Sequence, residues 1–192
     1  MSRSPLAGVT LVTGNRHKLE EARRLLGAAG EDLDSAAVDL PEIQSLDLQE
    51  VLSAKAEEAY RRLGRPVVVE DTGLGLHAFG GFPGPFIKWM LEAAGLETLA
   101  RSAHALGDPR ATVRCGLHYR DHQGSVVAIA EVTGSLTATP QGDGGFGWDP
   151  IFQPRGEGRT YAEMDTGSKD ALGHRGKAWR QLLDRLEVER RA

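Results

Sequence analysis

The sequence has very little cysteine and no long apolar segment. Cys115 is the only cysteine among 192 residues, so an intrachain disulfide is excluded and a reducing compartment is the simplest expectation. No apolar run approaches the length of about 20 residues that a membrane-spanning helix needs, and the amino terminus lacks the apolar core of a signal peptide. We therefore expect a cytoplasmic protein with no membrane partner.

The chain also lacks an excess of positive charge. It carries 23 lysines and arginines against 27 aspartates and glutamates, a net charge of −4. Proteins that bind the phosphate backbone of nucleic acids usually present a broad basic face, so no nucleic-acid partner is expected, although a local basic pocket is compatible with this balance. The sequence contains no internal repeat, and its length suits a single domain over residues 1–192.

The most informative segment begins with the β-branched run Val67–Val69. Such a run is typical of a strand buried on both faces, as in the middle of a parallel sheet. Glu70 and Asp71 follow, and Thr72-Gly73 predicts a turn that ends the strand. Ligand crevices of open α/β sheets lie at the carboxyl ends of strands, and adjacent strand residues point to opposite faces. One carboxylate is therefore expected to face a crevice; solvated acids at an ordinary strand end are the alternative.

A strand, a tight turn and a helix are predicted near the beginning of the chain. Val9–Thr13 predicts the strand, Gly14-Asn15 the turn, and Gly27 the end of the helix. Lys18 lies in the first turn, where a lysine disfavours its own helix but adds to the attraction that free N–H groups exert on an anion. A phosphate site and a capped turn with an exposed lysine both fit this pattern.

A second strand is predicted at Ser35–Leu40, and another helix follows it. Asp47 and Glu50 predict a capping box at the start of that helix, and Gly64 predicts its end. Lys55 falls on the apolar face. A lysine there either extends to the edge of the face or reaches into a crevice toward phosphate.

The middle of the chain predicts a rigid loop, a helix and a pair of strands. Gly80–Pro85 is rich in glycine and proline and permits close approach of a ligand to the backbone, as do ordinary surface turns. A helix is expected over Leu96–Leu106. Alternating residues from Ala111 to Tyr119 predict a half-exposed strand paired with the next one around a turn at Asp121–Gly124, with Cys115 in the core.

The last third of the chain combines aromatic and donor-rich residues. Glycines flank Phe146 and Trp148, which suits a loop that lays an aromatic ring against a flat ligand or one that is anchored in the core by those rings. Thr160–Glu163 predicts another capping box. Before the last helix come three residues that bind carbonyl oxygens or anions, or form a solvated basic end: Lys169, His174 and Arg175.

Together these segments resemble the inosine triphosphate pyrophosphatase family, and they occur in the family's order over almost the whole chain. The matching pieces are Thr13-Gly-Asn-Arg-His-Lys18, Asp39-Leu-Pro-Glu42, Val69-Glu-Asp71-Thr-Gly, Gly80-Gly-Phe-Pro-Gly-Pro-Phe-Ile-Lys88-Trp, Phe146-Gly-Trp-Asp149-Pro-Ile-Phe, Thr160-Tyr-Ala-Glu-Met, Lys169 and His174-Arg175-Gly.

The resemblance implies an α/β fold with a mixed, elongated central sheet flanked by helices, and two lobes around a substrate cleft. It implies a homodimer that uses Mg²⁺ to cleave 6-oxo purine nucleoside triphosphates, such as ITP, dITP and XTP, to the monophosphate and pyrophosphate.

The resemblance also implies a role for individual residues. Glu42 and Asp71 would bind the metal, and Asp71 would accept a proton from the attacking water. The substrate-binding residues would be Thr13, Gly14, Asn15, Arg16, His17, Lys18 and Lys55 toward the phosphates, Phe146, Gly147, Trp148, Asp149, Lys169, His174 and Arg175 around the base, and also Thr72 and Lys88.

The base pocket departs from the family pattern at three positions. Gly173 stands where serine is common, Asp170 where asparagine is usual, and Phe86 where tyrosine is frequent, so selectivity among purines is expected to be looser. A related pyrophosphatase with another base preference and a non-catalytic nucleotide-binding module are the alternatives. The presence of Glu42, Asp71 and Lys18 together favours an enzyme.

Overall fold

The computed structural model describes residues 5–27, 30 and 33–189, and strand β3 (Val67–Leu76) lies in the middle of its sheet. Val67, Val68 and Val69 are fully buried, as predicted. The prediction of a turn at Thr72-Gly73 is wrong, because β3 continues to Leu76. Gly73 instead permits close approach of the short strand β4 (Pro83–Gly84): a Cβ at Gly73 would lie 2.9 Å from the carbonyl carbon of Gly84.

The described residues form one mixed sheet of seven strands, which confirms the predicted fold class. Its order is β2-β1-β3-β5-β6-β7, with β4 paired to β3. Strand β1 pairs in parallel with both β2 and β3, whereas β7 is antiparallel to β6. The remaining strands are β1 (Thr10–Val12), β2 (Asp34–Ala36), β5 (Arg110–Arg120), β6 (Ser125–Leu136) and β7 (Phe152–Pro154).

Two strand predictions need correction. The second strand, predicted at Ser35–Leu40, is confined to Asp34–Ala36, and residues 37–47 are irregular. The alternation predicted from Ala111 to Tyr119 holds only in the first half of β5, because residues 115–119 are all buried. The second half of β5 is therefore buried on both faces and is not half-exposed. The turn after β5 is as predicted, with the Asp121 carboxylate accepting from the backbone N–H groups of Gln123 and Gly124.

Six α-helices flank the sheet in the described part of the chain: α1 (Arg16–Leu26), α2 (Leu48–Leu63), α3 (Ile87–Ala94), α4 (Leu96–Ala105), α5 (Thr166–Leu172) and α6 (His174–Glu189). The predicted ends of α1 at Gly27 and of α2 at Gly64 are confirmed, and Gly64 adopts the left-handed conformation with φ 61°. His174 and Arg175 lie in the first turn of α6 and not before it, while Lys169 lies in α5. None of these helices is long and apolar enough to cross a membrane.

Both predicted capping boxes are only half correct. Asp47 caps α2 by accepting from Gln49 N, but Glu50 accepts from Ser45 Oγ. In the second box, Glu163 does accept from Thr160 N at 2.8 Å, yet residues 161–163 form a turn and not a helix. Helix α5 begins only at Thr166, and its cap is Asp165, which accepts from Ser168 N at 2.8 Å.

The chain divides into two compact units that have separate apolar cores, two in the first unit and one in the second among the residues that the structure describes. The first unit comprises residues 1–71, 115–130 and 175–192, and the second comprises residues 72–114 and 131–174. Trp179 of α6 packs in one core of the first unit, and α2 contributes Leu52 to another. Phe152 and Tyr161 are the largest fully buried side chains of the second unit. Strands β3, β5 and β6 each contribute residues to both units.

Candidate active site

The turn between β1 and α1 is organised by the side chains of Thr13 and Asn15. The Thr13 hydroxyl accepts from Asn15 N at 3.1 Å, and Asn15 Oδ1 accepts from the N–H groups of His17 and Lys18 at 3.0 and 3.3 Å. Residues 14–17 are exposed. The turn therefore presents an ordered, accessible helix N-terminus, which is the kind of backbone that attracts anions.

A buried ionic network joins this helix to β3 and α6. Arg175 forms a two-pronged pair with Glu70, with Nε and Nη2 at 3.0 and 2.9 Å from Oε1. The Nη1 group of Arg175 also donates to Glu21 of α1. Lys18, three residues before Glu21, places Nζ 3.5 Å from Glu70 Oε1. Two carboxylates and two cations thus neutralise one another in the protein interior. Removal of any one of them would leave an unpaired buried charge, which is strongly destabilising.

The carboxylates of this network keep Arg175 charged. Burial alone would lower the pKa of Arg175, but the charge of Glu70, and after it that of Glu21, raises it. Burial, followed by the charge of Glu70, raises the pKa of the Cys115 thiol well above its usual value. Cys115 therefore stays protonated and acts as core packing, as the sequence predicts.

A second group of charges meets at the Lys55 ammonium. Lys55 Nζ lies 2.7 Å from Glu42 Oε1 and 3.4 Å from Asp71 Oδ2. Burial would lower the pKa of Lys55, but Asp71 and Glu42 outweigh it, so the pKa is raised. Glu42 comes from the irregular segment after β2, Lys55 from α2 and Asp71 from β3. One cation is thus shared by two carboxylates that are 29 residues apart in sequence.

Glu42 and Asp71 have the chemistry of a magnesium site with few protein ligands. Mg²⁺ prefers carboxylate oxygens and keeps several waters, so one or two protein carboxylates suffice. Both acids already approach one positively charged atom. No group of three or more His, Cys, Asp and Glu side chains able to hold a metal occurs within the residues that the structure describes. This donor set fits Mg²⁺ and does not resemble a closed structural zinc site.

These two groups of charges together form the charged cluster of the first unit. It has seven members: Lys18, Glu21, Glu42, Lys55, Glu70, Asp71 and Arg175. Each anion in it has a cationic neighbour within the cluster.

The second unit contains a different site, built on a buried ion pair. Asp149 Oδ2 accepts from Lys169 Nζ and from the backbone N–H of Phe146, each at 2.7 Å. Asp149 and Lys169 are 3% and 8% exposed. Gly145 has φ 69°, and a Cβ there would collide with the Asp149 carboxylate. Glycine is therefore required at Gly145 both for the backbone conformation and for the space that the carboxylate fills.

Aromatic rings surround this ion pair. Lys169 Nζ lies 5.1 Å from the centre of the Phe146 ring, within the range of cation–π attraction. His174 stacks on Tyr161 with ring centres 5.7 Å apart and lies 6.2 Å from Trp148. We call Phe146, Trp148, Asp149, Lys169 and His174 the aromatic site. It combines flat apolar surfaces with one fixed cation, which suits a planar ligand that carries hydrogen-bond acceptors.

The remaining predicted substrate residues belong to neither the charged cluster nor the aromatic site. Arg16 pairs with Glu20 at 2.7 Å on the exposed face of α1. Thr72 is buried, and Lys88 is exposed with Nζ 5.1 Å from the Trp89 ring centre. Gly147 is exposed with φ 62°. Their contacts with substrate stay predictions.

Comparison with known proteins identifies the family. The profile of the Ham1 family matches residues 9–185. The chain belongs to the Ham1 family. It is 41% identical over 173 residues to the inosine triphosphate pyrophosphatase of Batrachochytrium dendrobatidis, and the alignment covers 90% of each chain. It is 38% identical over 174 residues to the dITP/XTP pyrophosphatase of Hyperthermus butylicus, which covers 91% of this chain and 92% of the relative.

The fold agrees with a solved Ham1 structure. The Ham1 protein of Staphylococcus aureus superimposes with a TM-score of 0.80 at 24% identity, covering 94% of this chain and 98% of that one. The match to the Ham1 profile and the two pyrophosphatase relatives confirm the family resemblance inferred from the motifs.

Sequence reasoning missed two features of this Ham1 chain. Glu21 was not predicted, although a glutamate beside the buried Ala22 on the apolar face of α1 is a usable signal for a buried charge pair. The pairing of Arg175 with Glu70 was also missed, because the two residues are 105 positions apart. Arg175 was predicted to contact the base; its guanidinium lies against Glu70 and Glu21, and its contact with a base stays a prediction.

Proposed function

We propose that this Ham1 protein hydrolyses 6-oxo purine nucleoside triphosphates, among them ITP, dITP and XTP, to the nucleoside monophosphate and pyrophosphate, and that it needs Mg²⁺ to do so. The names of its relatives support the substrate class, since they are called inosine triphosphate and dITP/XTP pyrophosphatases. The single structural observation that carries the proposal is the approach of Glu42 and Asp71 to one ammonium, that of Lys55.

The charged cluster has the parts that cleavage of a polyphosphate requires. A triphosphate carries several negative charges, so its binding needs cations and N–H donors. Lys18, Lys55 and the exposed turn at residues 14–17 supply these. Mg²⁺ held by Glu42 and Asp71 would take up charge that develops on the phosphate oxygens.

Asp71 is the residue that we assign to proton transfer. Its carboxylate is partly buried, at 16% side-chain exposure, and Oδ2 lies 3.4 Å from Lys55 Nζ. A carboxylate in hydrogen-bond reach of a water accepts the proton as that water attacks phosphorus. Glu70, the adjacent carboxylate, is fully buried and paired with Arg175, so Glu70 does not have this role.

The aromatic site is the proposed location of the purine. Phe146 offers a flat ring for stacking, and the Lys169 ammonium, held by Asp149, is a donor without acceptor capacity. A 6-oxo group accepts from such a donor, whereas the 6-amino group of adenine does not. An unpaired buried polar group costs about 1–3 kcal/mol, or roughly ten- to hundredfold in selectivity. GTP also has a 6-oxo group and is not rejected by this argument.

A homodimer in the cytoplasm completes the proposal. In the second unit Phe79, Phe82 and Trp89 are 39%, 46% and 56% exposed within eleven residues of sequence. Clustered exposed apolar side chains favour an interface with another protein surface. The lone, buried Cys115 suits a reducing compartment. Light scattering on the purified protein measures the subunit number, and a monomer at micromolar concentration would rule out a stable dimer.

A product assay tests the reaction. Purified protein is incubated with Mg²⁺ and, separately, ITP, XTP, GTP, dATP and UTP, and pyrophosphate and orthophosphate are quantified in parallel, with EDTA as the metal-free control. We expect pyrophosphate from ITP and XTP and little product from dATP. Orthophosphate as the direct product would exclude the reaction class. Nucleotide binding without turnover would indicate a binding module, and turnover of pyrimidine nucleotides alone would exclude the proposed substrates.

A further inference from the structure

Glu42 lies on a segment without regular secondary structure. Residues 37–47, which we call the Glu42 loop, connect β2 to α2, and the Glu42 side chain is 46% exposed. A metal ligand is effective only when its position is held by supporting contacts. Contacts that fix the loop are therefore needed to keep Glu42 in place.

Helix α2 contacts the loop at three points in antiparallel order. The contacts are Arg62 Nη1 to the Asp39 carbonyl oxygen at 2.7 Å, Lys55 Nζ to Glu42 Oε1 at 2.7 Å, and Ser45 Oγ to Glu50 Oε2 at 2.6 Å. The helix rises about 18 Å between Glu50 and Arg62. Val38 and Leu40 also pack against the apolar core that α2 helps to form. The loop therefore runs back along the helix that follows it.

The proposed function requires the central contact, between Lys55 and Glu42, to break. Lys55 pairs with both Glu42 and Asp71. A divalent cation held by those carboxylates would repel the Lys55 ammonium, and a bound polyphosphate would attract it. The loop would then lose its middle contact while Glu42 still has to stay in place. The contacts of Arg62 and Ser45 do not involve Lys55.

We propose that Arg62 and Ser45 are positioning residues that hold Glu42 next to Asp71 when a bound divalent cation displaces Lys55 from Glu42. The inference rests on the proposed function, because it assumes that Glu42 and Asp71 share a divalent cation.

Arg62 is itself oriented by α2. Its Nε donates to Glu58 Oε1 at 2.5 Å, and Arg61 pairs with the same carboxylate at 2.7 Å. Hydrogen bonds from Arg61 and then from Arg62 lower the pKa of Glu58 to about 2, so the carboxylate stays charged at any working pH. The two arginines thus form a matched pair: both bind Glu58, and Arg62 in addition binds the Asp39 carbonyl oxygen.

The test compares Arg62→Met with Arg61→Met. Mn²⁺ binding to the nucleotide-free protein is measured by electron paramagnetic resonance, because this readout does not depend on turnover. We expect Arg62→Met to weaken Mn²⁺ binding about three- to tenfold, the worth of one hydrogen bond, and Arg61→Met to leave it unchanged. Ser45→Ala should weaken it about twofold, and Arg62→Lys, which keeps one donor, should recover part of the loss.

Several results would overturn the inference. Equal weakening in the two methionine variants would show a general charge effect, and unchanged Mn²⁺ binding in both Arg62→Met and Ser45→Ala would remove the loop contacts from the site. Absence of Mn²⁺ binding by the wild-type protein would also overturn the inference. Thermal unfolding checks that the two methionine variants are equally folded. If the wild-type protein binds Mn²⁺ but releases no pyrophosphate, the proposed function fails while a selective effect of Arg62→Met still supports the positioning role.

Discussion

The two units of the molecule carry sites of opposite character. In the charged cluster of the first unit, four carboxylates alternate with three cations, and most of them come from the regular elements α1, α2, α6 and β3. In the aromatic site of the second unit, a single ion pair lies among aromatic rings, and a glycine-rich loop supplies Phe146, Trp148 and Asp149.

Because of this difference, we expect the charged cluster and the aromatic site to have separate functions. Regular elements hold charges at fixed distances, which suits the binding of a polyphosphate and a divalent cation because their chemistry is the same in every nucleotide. A loop whose shape depends on a few glycines and rings suits discrimination between similar bases. Variants of the charged cluster should therefore change turnover or phosphate binding without changing base selectivity, and variants of the aromatic site should change base selectivity.

The largest effect is expected for Asp71→Asn. The amide keeps the size of the side chain but does not accept a proton from water, so turnover should fall by about 10²- to 10⁴-fold. Nucleotide binding should persist, because Lys18 and Lys55 are unchanged. Steady-state kinetics with ITP and calorimetric binding of a non-hydrolysable analogue measure the two quantities. A near-normal rate would take Asp71 out of the mechanism and remove the basis of the comparison.

The aromatic site is tested by Lys169→Met. The variant leaves the buried Asp149 without its lysine and should lower the free energy of unfolding by about 3–5 kcal/mol. It should also reduce the preference for ITP over ATP by about ten- to hundredfold. The double variant Lys169→Met/Asp149→Asn separates these effects, since it removes the uncompensated charge but does not restore the donor. Stability that recovers together with selectivity would mean that Lys169 acts only through folding.

Local sequence patterns predicted much of the first unit. The valines of β3, the turn at Gly14-Asn15 and the ends of α1 and α2 at Gly27 and Gly64 depend on neighbouring residues only. The approach of Glu42 and Asp71 was expected from the family resemblance, and the structure places both acids at Lys55.

Features that depend on distant residues could not be predicted. Gly73 was interpreted as a turn residue, but its role is set by strand β4, ten residues later. The pairing of Asp149 with Lys169 across 20 residues follows from the folded loop. The irregular path of residues 37–47 depends on contacts with α2, and no periodicity in the sequence indicates them.

Lys18→Met should have an intermediate effect that is confined to phosphate binding. Lys18 lies 3.5 Å from Glu70 and is 14% exposed, so it is held near the turn that we assign to the triphosphate. Loss of one charged contact should raise KM for ITP by about tenfold, with a smaller change in kcat and no change in the ratio of ITP to GTP turnover. Altered base selectivity in this variant would break the division between the two sites. Unchanged kinetics would leave Lys18 as part of the structural network only.

The smallest effect, and the sharpest test of the aromatic site, is expected at Gly173. This residue lies between α5 and α6 with φ −70° and ψ 157°, and a Cβ there would lie 2.5 Å from the Lys169 carbonyl oxygen. Any side chain should therefore displace the end of the helix that carries Lys169.

Alanine and serine at this position should differ, because the extended backbone of Gly173 is that of a helix N-cap and a serine hydroxyl there can accept from the first turn of α6. We expect Gly173→Ala to lower stability by about 1–3 kcal/mol and Gly173→Ser to lower it by about 1 kcal/mol less, each with a severalfold change in the ratio of ITP to GTP turnover. Gly158→Ser is the matched control, since Gly158 is an exposed glycine of the same unit with open space around its Cα. If the control changes the ratio as much as Gly173→Ser, selectivity does not depend on the position of Lys169. If only the Gly173 variants change the ratio of ITP to GTP turnover, base selectivity depends on the backbone position at the end of α5, the helix that carries Lys169.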